Sequence, residues 1–192
     1  MTARTHDLAA ITALGVTFLV VPEQTITLAT VIVAIFANLI GGVTPDIDQP
    51  TAPLWHNLPA GKYFGRIFDK LLGGHRFITH SILGLVLFGY LVHLLLVFLQ
   101  PILNTVSIGI VWWAFMIGMT SHLVMDSLTK EGVPWLLPIP IKFGFPPLKD
   151  WRITTGKWVE TWIVFPLLLA FNGWLYLQHH QQILYILHNK LI

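Results

Sequence analysis

Residues 81–100 read SILGLVLFGYLVHLLLVFLQ, and this stretch decides the fold. It contains no Asp, Glu, Lys or Arg. About 20 apolar residues wound as a helix cross the roughly 30 Å of hydrocarbon in a bilayer, and a helix satisfies its own backbone polar groups there. Outward from it, similar runs occupy residues 8–22, 25–43, 106–126 and 158–178, so about five spans are expected. The first run is short and must thin the bilayer locally or borrow polar flanks. Composition agrees: only 10% of residues are charged, against about 25% in soluble domains, and mean hydropathy is +0.71. A net charge of +2 gives no reason to expect a nucleic-acid partner. With no cysteine, disulfides and thiolate ligands are excluded. The expected fold is all-α, a polytopic membrane helical bundle forming a single membrane domain over residues 1–192.

The run after Arg4 could be mistaken for a signal peptide. No A-x-A-like cleavage site follows, and a second apolar run begins just past Pro22-Glu23, so a retained helix is expected. The turn at residues 22–24 is tight enough for a helical hairpin, and Gln100-Pro101 breaks the chain between two further spans. Ten of the eleven Lys and Arg residues fall in segments 1–7, 44–80 and 127–157. Positive residues stay inside, which places the N-terminus and both long loops, 44–80 and 127–157, in the cytoplasm and the C-terminus outside. Within the first loop, Phe64, Ile67, Phe68 and Leu71 recur at helical spacing, as do Lys62, Arg66 and Lys70. This suits an amphipathic helix in the headgroup layer, or equally one packed on the protein. Residues 133–151 carry five prolines, which forbid a long helix. Their aromatic and apolar residues fit a segment resting on the interface or lining a lipid-side entry.

The ionisable residues collect at one depth. His6 and Asp7 precede the first span; Asp46 and Asp48 follow the second; His75, Arg76 and His80 precede the third; His122 and Asp126 close the fourth. Charged groups at a membrane boundary are costly unless paired or bound, so four chain segments meeting there suggest one site. His122 and Asp126, at i and i+4, share a helix face. Asp46 and Asp48 point the same way if extended, with Pro45 stiffening the approach. Imidazole and carboxylate ligands suit zinc, manganese, iron or nickel better than calcium or magnesium. More than four candidates leave room for one ion or two, a pair about 3.5–4 Å apart being suited to phosphoester cleavage. Arg76 could hold a phosphate by a bidentate contact. Blander readings stand beside these: His6 as an interfacial side chain, Asp46 as a turn cap, Asp126 paired with Arg76 as structural glue. Ser81 and Thr129 are capping or orienting candidates. His93, about 18 Å of helix rise from Ser81, is expected to be a core histidine, and the histidines after residue 178 belong to the opposite side.

At these residues the chain resembles the YdjM-like family of inner-membrane, metal-dependent hydrolase-like proteins. The matching features are Thr5-His6, Pro45-Asp46-Ile47-Asp48, His75-Arg76 with Thr79-His80-Ser81, and His122-x-x-x-Asp126 followed by Thr129 and Gly132. They span residues 5–132. Gln49 stands where the family often has His after Asp-x-Asp, and that position is not counted as a ligand. The resemblance implies a multi-pass protein of a prokaryotic plasma (inner) membrane. The expected function is a metal-dependent hydrolase at the cytoplasmic face, acting on a phospholipid or other amphiphilic phosphoester. The expected cofactor is a divalent metal, zinc before manganese or iron, as one or two ions. The ligand and base pool is His6, Asp46, Asp48, His75, His80, His122 and Asp126. Asp48, His80 and Arg76 are the expected catalytic groups. An ion or proton transporter and a non-catalytic scaffold with a structural metal are the alternatives. Oligomeric state is not legible.

Overall fold

A computed structural model gives the architecture and describes residues 1–21, 26–74, 76–139 and 141–189. Among the described residues seven α-helices follow in order: α1 Ala3–Val20, α2 Leu28–Val43, α3 Pro53–His56, α4 Gly61–Leu71, α5 Ile82–Leu99, α6 Ile108–Ser127 and α7 Phe165–Asn189. Short 3-10 turns cover Thr44–Asp48 and Ile78–His80, and a π-turn, Glu160–Val164, leads into α7. Among the described residues there is no β-strand, only two isolated bridges. The protein is therefore an all-helical bundle. Four of its segments, Leu28–Asp48, Ile82–Leu99, Ile108–Ser127 and Glu160–Gln181, are long and apolar enough to cross a membrane. α1, at 18 residues, is also of spanning length, in line with about five spans, but its Arg4 and Asp7 make it less apolar.

The seam between α2 and α6 organises the bundle. In a membrane the apolar side chains gain nothing by leaving lipid, so close backbone approach has to hold helices together. Here a Cβ on Gly41 would lie 2.1 Å from Phe115 O, and one on Gly118 would lie 2.0 Å from Asn38 O. Buried Asn38 donates across the seam to Ala114 O at 3.0 Å. α1 lies across both helices, Ala10 touching the Gly42 position, and α7 packs on α1. α5 packs on α6, where Trp112 Nε1 donates to Gly89 O at 2.7 Å.

Three expectations need revision or lie out of reach. α1 begins at Ala3, so His6 sits on its helix instead of preceding it. The reason is a cap from far along the chain: Glu160 takes the Thr2 amide and hydroxyl. His93 is not a core histidine; it is exposed on α5, because α5 turns only one side toward the bundle. His75 and the turn at residues 22–24 lie outside the described residues.

Both long loops carry regular contacts among their described residues. α4 packs on the protein, burying Gly61 and Gly65 against Trp55, and leaves Lys62, Arg66, Lys70, Phe64, Ile67 and Leu71 exposed. The proline-rich loop is pinned by paired bonds between Val133 and Phe143, at 2.8 and 2.9 Å, and by Arg152 Nε donating to Pro146 O at 2.7 Å. It presents Leu136, Ile139, Ile141, Phe145 and Trp151 outward.

Candidate metal centre

One end of the bundle gathers the histidines and aspartates. α1 supplies His6, the 3-10 turn after α2 supplies Asp46 and Asp48, the turn before α5 supplies His80, and the last turns of α6 supply His122 and Asp126. His6, His80, His122, Asp48 and Asp126 are all buried, and Asp46 is 18% exposed. The rings of His6 and His122 stack with centroids 3.6 Å apart and 7° between planes. His80 meets His122 edge-on at 5.3 Å. Asp126 lies at the centre: Oδ1 is 3.2 Å from His6 Nε2, and Oδ2 is 3.5 Å from His80 Nε2 and 3.8 Å from His122 Nε2. Asp46 Oδ1 faces His122 Nε2 at 3.6 Å and His80 Nε2 at 3.8 Å.

Neighbouring groups fix which ring nitrogen points inward. Gly42 O, 2.6 Å from His122 Nδ1, can only accept, so Nδ1 carries the proton and Nε2 presents its lone pair. Thr79 donates its hydroxyl proton to Asp48 Oδ2, so its oxygen is left to accept from His80 Nδ1 at 2.9 Å. His80 Nε2 is thereby the atom turned toward Asp46 and Asp126. Burial lowers the proton affinity of His80, but hydrogen bonding to Asp126 and Asp48 outweighs it and holds the imidazole above its ordinary value.

Asp48 stands behind His80. Besides Thr79, its Oδ2 accepts the Arg76 amide at 3.0 Å, and it joins neither of the ligand groups described below. Arg76 adopts a left-handed backbone, φ 59°, uncommon outside glycine, and so sends its side chain back across the site. Its guanidinium meets Asp126 Oδ2 at 2.5 Å, Thr129 Oγ1 at 3.1 Å, Gly132 O at 3.2 Å and Glu131 Oε2 at 3.3 Å. The Met1 amino group also pairs with Asp126. Thr129 donates to Asp126 O at 2.7 Å, closing α6, and Ser81 caps α5 by accepting from Gly84 N at 3.1 Å.

The donor set suits a divalent cation. His6 Nε2 and His122 Nε2 are buried and have no aligned hydrogen-bond partner, an expensive state for polar atoms; the 3.2 Å separation of His6 from Asp126 is close in distance but poor in angle. Ligand atoms of His6, His122 and Asp126 lie within 4.8 Å of one another, as do those of Asp46, His80 and His122. Tetrahedral ligands at about 2.1 Å from a metal sit roughly 3.4 Å apart, so the side chains are nearly assembled. Because His122 offers only Nε2, both groups converge on one atom. A groove of about 490 Å³ lies elsewhere, between α1, α6 and α7, walled by Ala9, Ala13, Met116 and Leu168 and lined by none of these histidines.

Sequence reasoning missed Gly42, which orients His122, and Glu160, the buried partner of Thr5. A carboxylate inside an otherwise apolar helical run is itself a signal, and Glu160 carried it. A family model described as "YdjM inner membrane protein" matches residues 1–182. A Bacillus subtilis (strain 168) protein named "Uncharacterized protein YvsG" is 28% identical over 145 residues, 75% of this chain and 79% of that protein. No solved structure matches.

Proposed function

Because the chain belongs to the YdjM inner membrane protein family, we propose that this multi-pass membrane protein is a metal-dependent hydrolase acting on an amphiphilic phosphoester, such as a phospholipid, at the cytoplasmic face of the membrane. The observation that carries the reading is the convergence of His6, Asp46, His80, His122 and Asp126 beside a buried arginine. His6, His122 and Asp126 would hold a divalent cation, zinc first, and Asp46 faces His122 beside them. Such a cation supplies Lewis acidity, polarising a phosphoryl oxygen and acidifying water.

The remaining groups have work of their own. Gly42 O keeps His122 in the tautomer that presents Nε2. Asp48, through Thr79, does the same for His80, whose Nε2 then serves as the proton-carrying atom. Arg76 steadies Asp126 through Nη2. Its Nε faces Glu131, which is 58% exposed, and a substrate phosphate would take the place of that carboxylate.

The test is metal analysis of protein purified in detergent, followed by hydrolysis assays with phospholipids and simple phosphodiesters. Zinc content near stoichiometric and turnover that disappears in a His80→Ala, Asp126→Ala double variant are expected. Metal and activity retained in that variant would sink the proposal. The full engagement of Arg76 with Asp126, Thr129 and Gly132 favours one second reading, a structural metal site. It predicts that chelation lowers the unfolding temperature while no substrate is ever turned over.

A further inference from the structure

Glu160 is a buried carboxylate that takes no part in the site, yet it is tied to it. It is 1% exposed. Its Oε1 accepts the Thr2 amide at 2.6 Å, the Thr2 hydroxyl at 2.8 Å and the Thr5 hydroxyl at 2.7 Å. Its Oε2 accepts the Gly156 amide at 2.7 Å. Gly156 is in the left-handed region, φ 70°, where glycine is at ease. Glu160 opens the π-turn that leads into α7, and π-turns inside helices recur at functional sites. Leaving such a group unpaired inside a bundle would be costly, and four donors from two distant segments are gathered to prevent it.

Three of those donors lie just before His6. Thr2 is the N-cap of α1, Thr5 is 1% exposed, and the next residue is the histidine stacked on His122. A carboxylate at a helix N-terminus also complements the exposed amides and the helix dipole. We propose that Glu160 is a positioning residue: it clamps the first turn of α1 so that His6 is held against His122 and Asp126 in its metal-binding place. The proposal rests on the reading of His6 as a metal ligand.

The experiment compares the full chain with Glu160→Gln, which keeps shape but loses charge, and with Thr5→Val, which removes one donor and serves if the first variant fails to fold. Two quantities are read: zinc dissociation constants, and hydrogen exchange of the Thr2 and Gly156 amides in zinc-free protein. Groups that orient a ligand typically change metal affinity by about 10- to 100-fold, and a loss of that size is expected in Glu160→Gln, together with faster exchange. The same substitution in a His6→Ala background should then cost little more, because the two residues act through one path. An equal loss with and without His6 would overturn the proposal, as would unchanged exchange or unchanged zinc affinity in both variants. If the unaltered protein takes up no zinc, the functional reading falls, and exchange alone decides: faster exchange keeps the clamp on the His6 turn, and unchanged exchange removes it.

Discussion

At the scale of single residues, the site is a set of donors whose protons are already assigned. Gly42 O and the Thr79–Asp48 pair each take an Nδ1 proton and turn an Nε2 inward. This gives pH a predictable sign. Without a cation, His80 holds its proton more tightly in the folded chain than in the unfolded one. That contribution to stability is fully present below the ordinary histidine pKa of about 6.5 and is lost as pH rises through the higher folded value. A metal needs the neutral ring, so binding releases protons. Zinc affinity is therefore expected to fall on acidification while the stability that His80 lends the zinc-free protein grows. Calorimetric titration with zinc, and unfolding of the protein beside His80→Gln, both across pH, check the two trends. The residues at stake were legible because ionisable side chains in an apolar chain are few. Their tautomers were not, since backbone carbonyls such as Gly42 O leave no mark in a sequence.

At the scale of elements, each helix was readable as a run of apolar residues, but its neighbours were not. The α2–α6 seam depends on Gly41, Gly42 and Gly118, which in a sequence look like any helix glycine. Adding a methyl group at Gly118 would place it 2.0 Å from Asn38 O, a backbone atom that cannot turn aside. Gly118→Ala is expected to cost about 1–3 kcal/mol from overpacking and to lower zinc affinity, since His122 and Asp126 follow it on α6 by four and eight residues. Thermal unfolding in detergent and zinc titration measure both effects. The helix in residues 61–71 was expected from its periodicity. That it seats Gly65 and Phe68 on Trp55 and leaves its basic residues, Phe64, Ile67 and Leu71 exposed came from the contact itself. The early start of α1 has the same character, being set by Glu160 at 155 residues' remove from Thr5.

At the scale of the whole molecule, the buried histidines and aspartates among the described residues gather near one end of the bundle. Deeper, Asn38 donates to Ala114 O and His93 faces outward. His93→Leu is expected to leave zinc binding and ion leakage of proteoliposomes unchanged, and a flux that depended on His93 would revive transport. The distribution of Lys and Arg predicts the orientation: since the natural chain has no cysteine, a single Lys149→Cys should react with a membrane-impermeant maleimide only after cells are opened. The sequence by itself determined that the chain is a helical membrane protein, roughly where its helices run, and which few ionisable side chains an apolar chain sets apart. Hydropathy and ionisability are local properties, written residue by residue. Only the tertiary structure decided that His6 stacks on His122, that Asp126 sits between the histidines and Arg76, that Asp48 stands behind His80, and that His93 is outside the core. Those facts depend on which glycines let two backbones touch and on how each helix is rotated about its axis, and interhelical contact is a property of pairs of segments that no single stretch contains.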